Sequence, residues 1–298
     1  MKYLILFLSL LNYSARCQNV NNFFDAYIGT NAQGYLQPLA DLTIGGLNTG
    51  IQPSIRIGDR FNVRLTLNTV SMFPDKSQKT FMGVTPDEFT PKTTTEVPTI
   101  IGDPKNVRVA GVNGTSYAFS GGYGITRLSW VTPQLSFGGF FGSEISLRFM
   151  TFGNADTDFG KFSQLGVGLR HSISQYFLKK DSPFDINIGY QFNKADIGKY
   201  IKLQSNYAFL QAGVGNKNIG AFVYGGYQMG NFDVSYTGED NKTETVNLKN
   251  QFPVLVGVGT HIQLGFLSLT LGVGGVKPII AFGNIGFRFQ SKSKPVKP

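Results

Sequence analysis

The chain has 298 residues, with 27 Lys and Arg against 18 Asp and Glu, for a net charge of +9. Charged residues make up only 15% of it, against about 25% in soluble domains, and glycine reaches 37 positions. The basic residues are scattered, and the densest cluster, Lys292, Lys294 and Lys297, reads as a solvated tail, so neither the charge nor its distribution argues for a nucleic-acid partner.

The N-terminus reads as a secretory signal over residues 1–17: Met1-Lys2 is a positive start, Leu4 to Leu11 is an apolar core, and Ala15-Arg16-Cys17 is a cleavage site near Cys17/Gln18. Removing Lys2 and Arg16 takes the charge from +9 to +7, and removing Cys17 leaves no cysteine, which excludes disulfides and thiolate metal sites. Beyond this signal no apolar run approaches the roughly 18 residues of a spanning helix, so strands are the route by which the chain could cross a membrane.

Residues 18–50 read as an irregular N-terminal segment or plug, in which Pro38 to Leu42 could start one short helix. From residue 60 a period-two alternation begins: Phe61, Val63, Leu65 and Leu67 share one side of a strand, and Asn62, Arg64, Thr66 and Asn68 share the other. Residues 74 to 105, with Pro74, Pro86, Pro91 and Pro98, read as a long loop. The alternation resumes at Glu144 to Phe149, Gln164 to Ser174, Asp185 to Phe192, Ile201 to Phe209, Val254 to Leu264, Leu267 to Gly274 and Asn284 to Phe289, with weaker candidates at 117–139, 219–229 and 232–237. Tight turns are expected at Gly230-Asn231 and Gly265, with a long polar loop at Thr237 to Gln251 between them. The total is about twelve strands at about 23 residues each with its connection, enough for the roughly 9 to 11 residues a tilted spanning strand needs.

Alternation alone is symmetric between a soluble sheet, apolar face inward, and a membrane barrel, apolar face outward. Low charge, a glycine-rich polar face and aromatic residues near strand ends (Tyr176-Phe177, Tyr190 with Phe192, Phe287 with Phe289) favour the barrel, and closure pairs every edge. The expected fold is an all-β, antiparallel transmembrane barrel over residues 51–289, with a basic tail at 290–298. Projected on this phase, Arg64, Glu144, Arg148, Arg170, Asp185, Lys202, His261 and Arg288 face the lumen. Without Glu144, Asp185 and neutral His261 the set holds five positive charges, so a net of 5 − 2 = +3 would favour anions if water fills the pore, or close it if the groups pair.

Catalytic and metal readings fare worse. His171 falls in phase with Leu169 and Ile173 on the outer face while Ser172 points inward, so no serine nucleophile follows beside it, and His261 lies on the opposite face, a poor start for a metal site. Asn154, Asp156 and Asp158 alternate as in a calcium loop, but Phe159 and Leu165 stand where glycine and glutamate are needed. No enzyme activity, metal or cofactor is expected.

The segment Leu165 to Tyr176, followed by Ser182-Pro183-Phe184-Asp185-Ile186, resembles a signature of an uncharacterised outer-membrane β-barrel family of Bacteroidota, of the DUF6588 type. Gly142 to Phe149 and Gly34 to Leu39 resemble its preceding strand and N-terminal segment. The resemblance implies the bacterial outer membrane and a barrel, with no substrate and no site residues. Three functions remain open: a narrow channel or transporter for small solutes, a closed barrel that is structural or binds partners through loops 74–105 and 237–251, and a soluble exported binding protein.

Overall fold

The computed structural model describes residues 30–153, 161–179, 181–216, 218–237 and 243–291. The expected signal, the start of the N-terminal segment, the Asn154 to Asp158 motif and the basic tail from Lys292 lie outside them. Among the described residues, helix α1 (Thr30–Asn48) precedes fifteen strands. The wall strands are β1 (Asn62–Phe73), β6 (Leu128–Phe140), β7 (Ser143–Phe152), β8 (Phe162–Ser172), β9 (Phe184–Ile197), β10 (Ile201–Gly215), β11 (Ile219–Thr237), β13 (Val254–Leu264), β14 (Leu267–Gly274) and β15 (Ile279–Gln290). They pair antiparallel in chain order, and β1–β15 and β10–β11 ladders complete the circle. Among the described residues, therefore, ten strands close the barrel, not twelve.

The difference in count arises where two expected strands, 219–229 and 232–237, form one. Gly230-Asn231 is not a turn: β11 runs unbroken through it, because both residues remain paired with β10, as Gly230 with Ser205 and Asn231 with Gln204. The expected polar loop after Thr237 contains a further strand, β12 (Thr243–Lys249), which pairs along Asn231 to Thr237 of β11 in line with β13 and adds no stave.

Connections sort by end. At one end lie the two-residue turn Phe141-Gly142, with φ of 49° and 68° as a tight hairpin needs, and the Gly265 turn with φ of +61°. At the other, residues 74–127 form an ordered cap, not a bare loop: β2 (Thr80–Val84) pairs with β3 (Thr94–Pro98) and β4 (Val107–Ala110) with β5 (Ser116–Phe119). These are called the turn end and the loop end below.

Helix α1 begins at Thr30, eight residues before the expected start, and carries Pro38 inside it. An interior proline costs a helix about 3 kcal/mol, and burial on every side offsets this here. Tyr35, Leu36, Ala40, Leu42, Ile44 and Leu47 are all buried, packed with inward residues such as Val70, Met72, Phe232 and Val246. The helix therefore lies inside the barrel. After it, residues 49–60 run along the lumen to the turn end, where β1 starts.

Inward glycines make room for this filling. A Cβ on Gly272 would stand 2.3 Å from the Phe282 ring, and one on Gly46 of α1 2.2 Å from Met72 Sδ and 2.7 Å from Trp130. Replacing Gly46 with Leu should overpack the lumen and cost about 1–3 kcal/mol, read as an earlier loss of compact gel mobility in a urea or temperature series.

Candidate functional site: an occupied lumen

The outer face carries apolar side chains around the whole wall. Leu65, Leu147, Leu169, Ile188, Leu210, Val223, Val258, Leu271 and Ile285, from nine of the ten staves, are exposed, and the remaining stave, β6, turns Val131, Leu135 and Phe137 the same way. Phe61, Phe140, Phe141, Tyr176, Phe177, Phe266 and Phe289 are exposed around the turn end, with Phe61 and Phe140 rings 5.2 Å apart. Tyr190 and Phe192 lie farther along β9 and are not part of that ring of residues. An apolar band with an aromatic girdle over a closed wall is the surface lipid requires.

Inside, the lumen has two tiers. At the loop end it is apolar and packed on α1. At the turn end it is polar, and its side chains are spent on the backbone of residues 47–57. Arg148 donates to the carbonyls of Leu47 (3.1 Å) and Thr49 (3.4 Å), and Asn193 donates to Leu47 O (3.3 Å), so they cap the C-terminus of α1, where a cation also meets the negative end of the helix dipole. Below, Asn284 donates to Gly50 O (3.1 Å), Gln134 to Ile51 O (3.4 Å), Thr270 to Pro53 O (2.6 Å), Asn187 to Ile55 O (2.8 Å) and Arg288 to Ile57 O (3.3 Å). Arg170 donates to Ser54 O. The extended segment, called the thread below, has no strand partner in the lumen, so wall side chains supply the donors its carbonyls need.

Of the eight expected lumen residues, Arg64, Glu144, Arg148, Arg170 and His261 are buried on the inner face. Arg288 is half-buried there. Asp185, also half-buried, accepts from Ser172 Oγ at 2.6 Å and from Ser174 Oγ. The acidic Glu144 joins Arg170 at 3.0 Å and Arg64 at 3.9 Å. The four arginines and Glu144 contact the thread or one another, and sequence reasoning missed the thread as their partner: alternation shows which way a residue points but not what it meets.

Lys202 is a correction. It is exposed on the outer face, directly opposite Asp196 of β9 and Asp233 of β11, an arrangement that favours opposite charges. Its neighbours Leu203 and Tyr207 point inward instead. The lumen at that level is apolar and packed on α1, so the rule that polar means inward fails there.

His171 faces outward as expected, and the register supplies a serine the sequence did not disclose: Ser143, paired with His171 across β7–β8, bonds its Nδ1 at 2.8 Å. Tyr176 OH bonds the other ring nitrogen at 2.9 Å. Among the described residues no carboxylate bonds this imidazole, and Ser143, Tyr176 and Gln175 form an interfacial hydrogen-bond set with it among the turn-end aromatics. Among the described residues no three His, Cys, Asp or Glu side chains converge as metal ligands.

Geometry and surface together define a transmembrane β-barrel of outer-membrane type whose lumen is filled by its own N-terminal region. The chain belongs to the family of unknown function DUF6588, whose model matches residues 1–274. Solved structures similar to it include the outer membrane protein OprG from Pseudomonas aeruginosa, at 11% identity, covering 79% of this chain and 100% of that one with a TM-score of 0.28. The N-terminal β-barrel domain of Pseudomonas aeruginosa OprF is 13% identical over 49% of this chain and 96% of that one, TM-score 0.27. The Pseudomonas putida toluene transporter TodX is 9% identical over 79% and 69%, TM-score 0.23. No curated protein matches the chain.

Arg148→Met should leave Thr49 O without its arginine donor and Leu47 O with Asn193 alone, and destabilise the barrel by about 1–3 kcal/mol, whereas Lys202→Gln on the outer face should change stability by less than about 1 kcal/mol. Urea unfolding of the purified barrel in detergent, with the two variants side by side, checks both.

Proposed function

We propose that the protein is a non-enzymatic barrel of the bacterial outer membrane, from a Bacteroidota source, closed at rest by residues 30–60 and passing small solutes only when the thread shifts. In this reading residues 1–17 are the cleaved signal, and α1 with the thread is the plug. The turn end faces the periplasm and the capped loop end faces outward, as short and long connections do in such barrels.

One observation carries the proposal: the two tiers of the lumen are held differently. Helix α1 is locked by apolar packing, while residues 50–57, of which Ile51 and Ile55 join the same buried cluster, are held along their backbone by separate hydrogen bonds, each worth about 1 kcal/mol net. Such bonds can be exchanged for water one by one, and the polar wall they leave, with Arg64, Arg148, Arg170 and Arg288, would line a water-filled path that favours anions.

A second reading is favoured by the cap. Residues 74–127 fold into two hairpins that expose Met82, Val112 and Tyr123 at the loop end, a surface suited to a binding partner.

Planar-bilayer recording separates the two. The wild-type barrel should be quiet, and a triple variant Asn187→Ala, Thr270→Ala, Asn284→Ala should open about 100-fold more often, the factor expected from about 3 kcal/mol of lost plug binding. A wild-type barrel that conducts steadily, unchanged in the variant, would contradict a gating thread; silence in both, with the barrel folded, would leave the cap as the functional surface.

A further inference from the structure

The turn-end lumen holds more buried positive charge than its carboxylates balance. Arg64 of β1 and Arg288 of β15 are direct cross-strand partners on the inner face, a like-charge pairing that costs stability. Arg170 lies opposite Glu144 across β7–β8, and this one carboxylate serves both Arg170 and Arg64. The side chains of Arg64, Arg170 and Glu144 are 1%, 5% and 3% exposed, so two guanidiniums are sealed in with a single counter-charge before Arg288 is counted. Asp59 attracts Arg288 but stands exposed at the mouth, and Asp185 is engaged by two serines.

The same residues leave donors without partners. Arg64 Nε and Nη2, Arg170 Nε and Arg288 Nε are buried and make no hydrogen bond, nor does His261 Nδ1 on the same inner face. A guanidinium cannot relieve this by losing its proton, and a buried donor left unmade costs about 1–3 kcal/mol. Arg148 shows the contrast within the same lumen: it is as deeply buried, yet each of its three nitrogens makes a hydrogen bond, to Gln134 or to the carbonyls at the end of α1. The lower cluster holds one carboxylate, Glu144, whose Oε2 makes no hydrogen bond and stands 3.9 Å from Arg64 Nη1, so what it lacks is a second negative acceptor that reaches the free N–H groups. Gly58, whose Cβ would stand 2.7 Å from Arg288 Nη2, keeps the thread's own backbone close to that guanidinium, so an occupant would touch wall and thread together.

We propose that the turn-end lumen is a binding site for a small inorganic anion, halide or tetrahedral oxyanion, held by Arg64, Arg170 and Arg288. The anion relieves the Arg64–Arg288 repulsion and accepts their unpaired N–H groups, and through Arg288, which bonds Ile57 O, it strengthens the hold on the thread.

Purified barrel exchanged into gluconate buffer is titrated calorimetrically with sodium bromide, phosphate and sulfate, and its unfolding temperature is followed in parallel. One of the three should bind saturably, one per barrel, and raise the unfolding temperature; which one binds distinguishes a halide from an oxyanion site. Arg64→Gln and Arg288→Gln should each weaken binding by about tenfold or more. Glu144→Gln, which removes the competing carboxylate, should tighten it, a direction that loss of structure alone would not produce. Lys202→Gln removes one positive charge from the outer face and should leave affinity unchanged. If an arginine variant fails to fold, the wild-type and Glu144→Gln titrations still decide. Absence of saturable binding by all three anions, or affinity unaltered by Glu144→Gln, overturns the site and leaves the donors to water.

Discussion

A peptide segment that enters a closed barrel without joining its ladder carries one carbonyl per residue and finds no strand to pair with. In this protein the constraint falls on residues 49–57, and the inner wall is arranged around it. Thr270, Asn187, Asn284, Gln134 and Arg170 come from five different staves and each donates to a different thread carbonyl. The wall thereby gives the thread the hydrogen bonds that secondary structure would otherwise supply. Arg148 extends the scheme upward by closing the end of α1.

The two tiers follow from what each part of the plug exposes. A helix satisfies its own backbone and shows side chains, so the wall around α1 is apolar, with Val70, Met72 and Phe232. An extended chain shows its backbone, so the wall around residues 50–57 is polar. On the outer face lipid requires the same thing at both levels, apolar side chains from all ten strands. Period-two alternation is therefore crisp in the lower half of a strand and blurred as a guide in the upper half, where the inner face is apolar and, in β10, Lys202, Gln204 and Asn206 face outward.

That blurring marks how much was legible in the sequence. In β1, β8 and β13 the inward and outward sets were readable residue by residue, and Arg64, Arg170 and His261 stand on the inner face as their phase required. In β10 the phase was lost, because Leu203 and Tyr207 point inward onto the plug and Lys202 outward between two aspartates. Strand number was overcounted where Gly230-Asn231 resembled a turn, since local turn chemistry cannot reveal that both residues stay paired with β10. The start of α1 was hidden by Pro38, a local penalty that burial outweighs. Neither the thread nor the Ser143–His171 pair could be read from periodicity, because each is a contact between segments far apart in the chain.

The central claim is that residues 50–57 fill the lumen and are held there. It is tested most directly by placing a single cysteine at Ser54, 5% exposed, in a chain carrying Cys17→Ser, and another at Phe141, 93% exposed on the turn end. Both are labelled with a charged maleimide in the folded, detergent-solubilised barrel. The account predicts that position 54 reacts at least about 100-fold more slowly than position 141 and reaches the same rate only in denaturant. Equal rates in the folded barrel would contradict it.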